Sequence, residues 1–428
     1  MPAAARNIII IHLFNVKEKS YFIPDNPIVK PWLSKTATIL LLLSQILDIY
    51  GSAPFLFGFS ACMFLAVIYV VQSLLKKNEH YGKSVPKMLM VLMVYRMFIH
   101  IVSANDLGEA LPLAPMLHLL IFIMFFDVID FNYLLKSYRT IAKICIAFFV
   151  IQEFLFITTG ARILGILNFL PRQYITDDLL SHNINFGRSS SFFSEPAHFA
   201  QFILPLLCIE LFHNKGKIKN AVLIMLFLFF LKSGNGLITL IVILSYWALT
   251  TIFNFSNLRN KIVLFVFAFC CIGFLSYMSG TEQMEYITGR GDEVSNFSDP
   301  ESASYIRFWQ GYVIFGDYSI TEMIFGADSD STIDRHTANV LGFVPEIRYF
   351  NNIQELLIRT GFIGLFIFLL FNASLWRNNN QCGRSCILAI LTLSLMASLF
   401  FTRTLCLYYV IAYLCQKEYK KQIYLNRL

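Results

Sequence analysis

Charge is scarce in this sequence. Of 428 residues only 14% are Asp, Glu, Lys or Arg, whereas 57% are hydrophobic. Soluble proteins carry about 25% charged residues, so an ordinary soluble protein is excluded. The alternation of apolar and polar residues that a lipid-facing strand requires is also missing, which excludes an outer-membrane barrel. Cys62, Cys145, Cys208, Cys270, Cys271, Cys406 and Cys415 lie inside apolar segments, with Cys382 and Cys386 in a basic loop, so no disulfide framework is expected. Internal repeats and low-complexity linkers are missing too. The apolar run Ile8 to Phe14 is too short for a span and lacks a small-residue cleavage site, so no cleaved leader is expected.

What the chain has instead is unbroken apolar runs. They fall at Leu33–Ile49, Ala53–Leu75, Pro86–Val102, Leu111–Ile129, Ile141–Thr158, Pro196–Phe212, Ile218–Leu231, Leu237–Phe255, Ile262–Met278, Ile353–Trp376, Ile387–Phe401 and Leu405–Cys415. At about 20 residues per crossing these predict an all-α polytopic membrane protein of about 12 spans in a single membrane domain over 1–428. The sixth, seventh and twelfth runs are short, which predicts tilt, extension past these limits or partial re-entry.

The net charge of +7 would raise nucleic acid as a partner of a soluble protein. Here it follows from retention of Lys and Arg on the cytoplasmic side, and no nucleic acid is expected. With both termini cytoplasmic, the retained side receives Lys76, Lys77, Lys83, Lys136, Arg139, Lys215, Lys217, Lys219, Arg377, Arg384, Lys417, Lys420 and Lys421, among others. The opposite side receives Arg162, Arg172, Arg188, Arg290, Arg307, Arg335 and Arg348, and no lysine. Retention acts on both residue types and does not by itself favour arginine. A guanidinium offers a planar fork of donors that matches pairs of phosphate or carboxylate oxygens. Two long segments, 160–195 and 279–352, lie on this side and are large enough to build a site.

The first segment closes on Gly187-Arg188-Ser189-Ser190-Ser191-Phe192-Phe193-Ser194-Glu195-Pro196-Ala197-His198. Proline suits the first turn of a helix, which makes Ser194 the expected N-cap and puts Glu195 at a helix start, where negative charge is favoured. Glu195 either caps this helix or faces Arg188 as a functional carboxylate, with His198 beside it. Ser233-Gly234-Asn235-Gly236 reads as a tight turn between two apolar runs, with Lys232 either snorkelling to the surface or facing a polar cavity. In the second segment Tyr305, Phe308 or Trp309, and Tyr312 recur at helical spacing with Arg307 on the edge. Such a stripe is either an interfacial anchor or a sugar-stacking platform. Asp328-Ser329-Asp330 has the spacing of a paired-aspartate metal motif, but its Gly, Ser and Asp surroundings predict a solvated turn, and no metal or cofactor is expected. His336 is a candidate base.

Arg188 with Ser194-Glu195-Pro196, the Ser233-Gly234 turn, Arg307 with Trp309 and Gly311, Gly326, and Asn351-Asn352 followed by Gly361 and Gly364 recur in that order in O-antigen and capsular polysaccharide polymerases. Over roughly residues 180 to 375 the chain resembles that family. The resemblance implies a bacterial inner-membrane enzyme of the C-type glycosyltransferase fold, with its two large loops in the periplasm. It would use polyprenyl-diphosphate-linked oligosaccharides, transferring a growing glycan from its lipid carrier to a lipid-linked repeat unit. A chain-length regulator and a flippase would be its partners. Related O-antigen ligases, which deliver glycan to lipid A core, commonly carry a histidine before the asparagine; Phe350 stands there in this chain, favouring polymerase over ligase. A transporter or flippase of lipid-linked sugar is the reading from another class, carried by Arg96, Glu153 and Glu210 within or near span ends.

Breaking the bond from an anomeric carbon to a diphosphate builds negative charge on the leaving oxygen, which guanidinium groups can stabilise. Arg188, Arg290 and Arg307 are the expected diphosphate clamp, with Tyr305, Trp309 and His198 toward the glycan. Glu195 is the first candidate for the general base and His336 the second.

Overall fold

The computed structural model describes residues 30–52, 55–75, 82, 84–104, 111–161, 163–167, 169–172, 188–252, 303–345 and 349–425. Helices dominate: α1 Pro31–Leu47, α2 Phe57–Leu75, α3 Lys87–Ser103, α4 Leu113–Val128, α5 Phe131–Thr159, α6 Pro196–Phe212, α7 Ile218–Phe230 and α8 Gly234–Ile252. Four short helices follow, α9 Ala303–Phe308, α10 Gln310–Gly316, α11 Ile320–Phe325 and α12 Asp330–Leu341, and then α13 Asn352–Arg377, α14 Gln381–Ser394 and α15 Arg403–Leu425. A two-residue hairpin, β1 Gly51–Ser52 against β2 Phe55–Leu56, joins α1 to α2.

This is a helical membrane protein. Phe57–Leu75, Phe131–Thr159, Gly234–Thr251 and Asn352–Arg377 are long and apolar enough to cross a bilayer, and Pro31–Leu47, Leu113–Val128, Pro196–Phe212 and Ile218–Phe230 are shorter apolar helices. Large apolar side chains such as Phe64, Leu75, Phe154, Ile157 and Phe366 stand on the outside, a surface that lipid, not water, accommodates. Every expected span except Ile262–Met278, which lies outside the described residues, overlaps a helix, although α14 ends at Ser394, well short of the expected Phe401. The short twelfth run extends past its expected end into the full length of α15.

Local chemistry sets several boundaries. Asp130 caps α5 by accepting from Tyr133 N at 2.8 Å, and Gly160, at φ 69°, ends it with its amide on Phe156 O. Asn351 and Gln354 form a reciprocal capping box at the start of α13.

The core is organised around α6, which is buried from Phe199 to Glu210 and packs against α5, α7, α8, α14 and α15. Pro205 within α6 has no amide to donate to Gln201 O. The hydroxyl of Tyr408, from α15, donates to that carbonyl instead at 2.9 Å. Tyr138, from α5, bonds Phe202 O in the same way. Each phenol brings an apolar ring to the core and a donor to a carbonyl that would otherwise cost free energy to bury.

Antiparallel packing gives the bundle two chemically different ends. At one end the C-termini of α1, α3 and α14 meet the N-termini of α6, α13 and α15. Arg403 on α15 pairs with Asp48 after α1, and Asn352 bonds Ser394 and Ala397 after α14. At the other end Arg139 on α5 grips Glu210 on α6 through Nε and Nη2 at 2.6 and 2.9 Å. Glu210 also accepts from Lys217 N and Asn220 Nδ2.

Candidate functional site

The segment before α6 is fixed to α5 by polar bonds inside the bundle. Ser191 donates its amide to Gln152 Oε1 and its hydroxyl to Cys145 O, both at 2.8 Å. Phe192 stacks on Phe148 at 4.4 Å, and Phe193 on Phe199 at 4.8 Å. Serines and aromatics therefore divide the work of Arg188-to-Glu195, the first satisfying buried polar groups and the second filling the core. Arg188 and Glu195 end up half-buried on either side of this anchored turn.

The N-cap differs from expectation. It is Glu195, in extended geometry, and its side chain makes no capping bond. Ser194 instead bonds His198 Nδ1 at 2.8 Å. Pro196 at the first helical position removes one of the amides a cap would serve, which leaves the Glu195 carboxylate uncommitted to the helix.

Glu195 and Arg307 both act on Tyr349. Burial pushes the Tyr349 phenol above its usual value, Arg307 pulls it back and Glu195 pushes it up again. The Arg307 guanidinium lies 5.5 Å from the Tyr349 ring centroid. Asn351 holds this arrangement, donating through Nδ2 to Arg307 O at 3.1 Å while its Oδ1 caps α13. Tyr349 donates to Met396 O at 3.2 Å. Residues from the start of α6, from α9 and from the approach to α13 thus converge at one end of the bundle.

The aromatic stripe is broken by a bend. Trp309, at φ −119°, separates α9 from α10, so Tyr305, Trp309 and Tyr312 do not share one regular helix face. Trp309 remains 47% exposed, with Tyr312 edge-on to it at 6.4 Å. Gly311 lies against the buried Gln354; a β-carbon there would come within 2.7 Å of Gln354 Cδ. α10 is thereby seated on the capping box of α13.

Asp328 is not in a solvated turn. It is 1% exposed, accepting from Arg96 Nε on α3 at 2.9 Å and Arg359 Nη1 on α13 at 2.7 Å, with His100 Nδ1 3.5 Å away. Arg359 also reaches Asp330 at 3.1 Å and Glu355 at 3.2 Å. Arg96 lies over the rings of Phe400 and Phe401 at 4.4 and 5.1 Å. Burial alone would raise the Asp328 carboxyl, but Arg96, the nearby His100 and Arg359 together hold it well below the usual carboxylate range. The two aspartates of the apparent metal spacing are ligands of one guanidinium.

A broken helix places this aspartate. Gly361, at φ 63° and ψ −168°, interrupts α13, and the carbonyl of Ile358, four residues before Phe362, receives Ala327 N at 2.9 Å. Gly326, at φ 88°, meets the opened turn so closely that a β-carbon on it would stand 2.5 Å from Thr360 N and Arg359 O. Two glycines from distant segments thus let the backbone before Asp328 dock on α13.

His336 sits elsewhere. Its Nδ1 faces Asp317 Oδ2 at 2.8 Å and its Nε2 faces Glu322 Oε1 at 3.4 Å, and Tyr318 packs on the ring at 4.4 Å. Hydrogen bonding from His336 draws the Asp317 carboxyl below its usual range. For Glu322 burial opposes, but the bonds from Ser319 and His336 prevail in the same direction. With both ring nitrogens facing carboxylates, His336 braces α12 against the loop after α10. Arg290 lies outside the described residues.

The expected turn at Ser233–Gly236 lies earlier, at Leu231–Ser233: Gly234 to Gly236 already belong to α8, and Ser233 Oγ accepts Gly236 N at 3.3 Å. Ser233 is buried and Gly236 meets Ala200 on α6 so closely that a β-carbon would stand 2.7 Å from Ala200 Cβ.

Compared with protein-family models, curated proteins and solved structures, the chain matches none. Sequence reasoning missed the Arg96–Asp328–Arg359 group. The one available signal was a pair of arginines at span ends, which in lipid requires a partner.

Proposed function

We propose that the chain is a polysaccharide polymerase of about 12 spans, with both termini cytoplasmic and its two long segments in the periplasm of the bacterial inner membrane. It transfers a growing glycan from polyprenyl diphosphate to a lipid-linked oligosaccharide repeat unit. The observation that carries this reading is the convergence of Glu195 and Arg307 on Tyr349. A carboxylate free of its helix can take the proton of an acceptor hydroxyl, and the guanidinium near Tyr349 can stabilise charge on a leaving diphosphate.

In this mechanism the acceptor oxygen attacks the anomeric carbon as its bond to the diphosphate breaks. The hydroxyl proton passes to Glu195, and the diphosphate leaves with both bonding electrons toward Arg188, Arg290 and Arg307. The position of Phe350 favours transfer to a lipid-linked repeat over transfer to lipid A core. Two of the three charges that spoke for a transporter have structural partners at the bundle ends, Arg96 with Asp328 and Glu210 with Arg139. Arg96 and Glu210 are thus held in pairs at the ends and not gathered at a midplane.

The test is incubation of the purified protein with lipid-linked repeat units, without nucleotide or added metal. A ladder of lengthened glycans is expected; unextended substrate would overturn the proposal.

A further inference from the structure

The end of the bundle away from Asp328 holds a cavity of about 350 Å³ lined by Phe212, His213, Asn379, Arg384, Glu418 and Tyr419, among others, within the size range of small-ligand sites. Two of its lining amides, Asn379 and Asn380, are already used by the fold. Asn379 donates to Ala412 O at 2.7 Å and accepts from Asn380 N, and Asn380 caps α14 by accepting from Gly383 N. These bonds fix the wall and leave the charged groups to face a ligand.

Two charges of opposite sign line the cavity. Arg384 uses Nε on Trp376 O at 3.1 Å and lines the cavity. His213 accepts Lys215 N on Nδ1, so its proton is on Nε2, which donates to Glu418 Oε2 at 2.7 Å. That bond orients Glu418 and leaves Oε1 open. The cavity lies where α13 ends and α14 begins, among Trp376, Tyr419, Lys417, Lys420 and Lys421, the residue types that gather where spans meet the headgroups.

We propose that this cavity binds the phosphoethanolamine group, its phosphate on Arg384 and its primary ammonium on Glu418 Oε1. A guanidinium matches phosphate oxygens, and a carboxylate accepts hydrogen bonds from a primary ammonium but not from a trimethylated one. The site is independent of the glycosyl transfer proposed above and lies at the other end of the bundle.

The test is native mass spectrometry of the full chain titrated with phosphatidylethanolamine, phosphatidylglycerol and phosphatidylcholine, and in a parallel arm with free phosphoethanolamine. The ethanolamine lipid is expected to bind at least ~10-fold more tightly than the other two, equivalent to about 1.4 kcal/mol. Glu418→Gln removes the preference over phosphatidylglycerol, and Arg384→Ala weakens binding of all three phospholipids while Arg384→Lys restores part of the loss. Binding of free phosphoethanolamine at the same site assigns a soluble ligand, and binding of the lipid alone assigns a headgroup; both support the chemistry. Equal binding of all three lipids by the unsubstituted protein, or a preference unchanged in variants that retain its elution volume, would overturn it.

Discussion

Asp328 and Arg359 are joined by a 2.7 Å bond between the segment after α11 and the first turns of α13, with the aspartate side chain fully removed from solvent. The same carboxylate holds Arg96 from α3, so one residue ties three parts of the chain together.

Removing it should therefore be costly. Asp328→Ala leaves two largely buried guanidinium groups without this counter-charge, which typically destabilises by about 3–5 kcal/mol. A markedly lower melting temperature in detergent is expected, and a melt matching that of the unsubstituted protein would count against the buried network.

The pH dependence of that loss has a definite sign. The folded carboxyl is held below its ordinary 3.8 because Arg96, His100 and Arg359 around it outweigh burial. Its contribution is fully present above the unfolded value and fades as pH falls below about 3.8 toward the folded value. The gap in stability between the unsubstituted protein and Asp328→Ala should shrink as pH falls below about 3.8.

Glycines with positive φ should not be equivalent. Gly342 ends α12 at φ 78° with open space around it, so Gly342→Ala should cost only the backbone strain, about 1–2 kcal/mol. Gly326→Ala adds a backbone collision with Thr360 and Arg359 and should be the more damaging of the two. Paired thermal melts check the order.

Asn351→Ala removes a cap and releases Arg307 together. A capping loss is worth about 1 kcal/mol, while misplacing Arg307 should slow polymerisation more than that loss of stability accounts for. Turnover measured well below the melting temperature separates the two effects.

The candidate bases should separate kinetically. Glu195→Gln keeps size but cannot take a proton, and a drop of about 10²- to 10⁴-fold is expected. His336→Gln should instead lower stability with little change in rate, since both its ring nitrogens face carboxylates. The reverse order would exchange their roles.

The helices were legible in the sequence because an apolar run is a property of neighbours: burying twenty contiguous apolar residues in lipid needs no knowledge of the rest of the chain. The sequence order around Ser194-Glu195-Pro196 and Asn351-Asn352 likewise marked two helix starts. Which carboxylates are free and which are bound was decided only by the tertiary structure. Asp328 and Arg96 are 232 positions apart, and nothing local distinguishes an aspartate headed for water from one headed for a guanidinium. Glu195 and His336 were both candidate bases, in that order; Pro196 and the bond from Ser194 to His198 left the first uncommitted, and Asp317 and Glu322 enclosed the second. Charge in a low-dielectric interior has to find its partner across the fold, so its role was fixed by distance in space and not by distance along the chain.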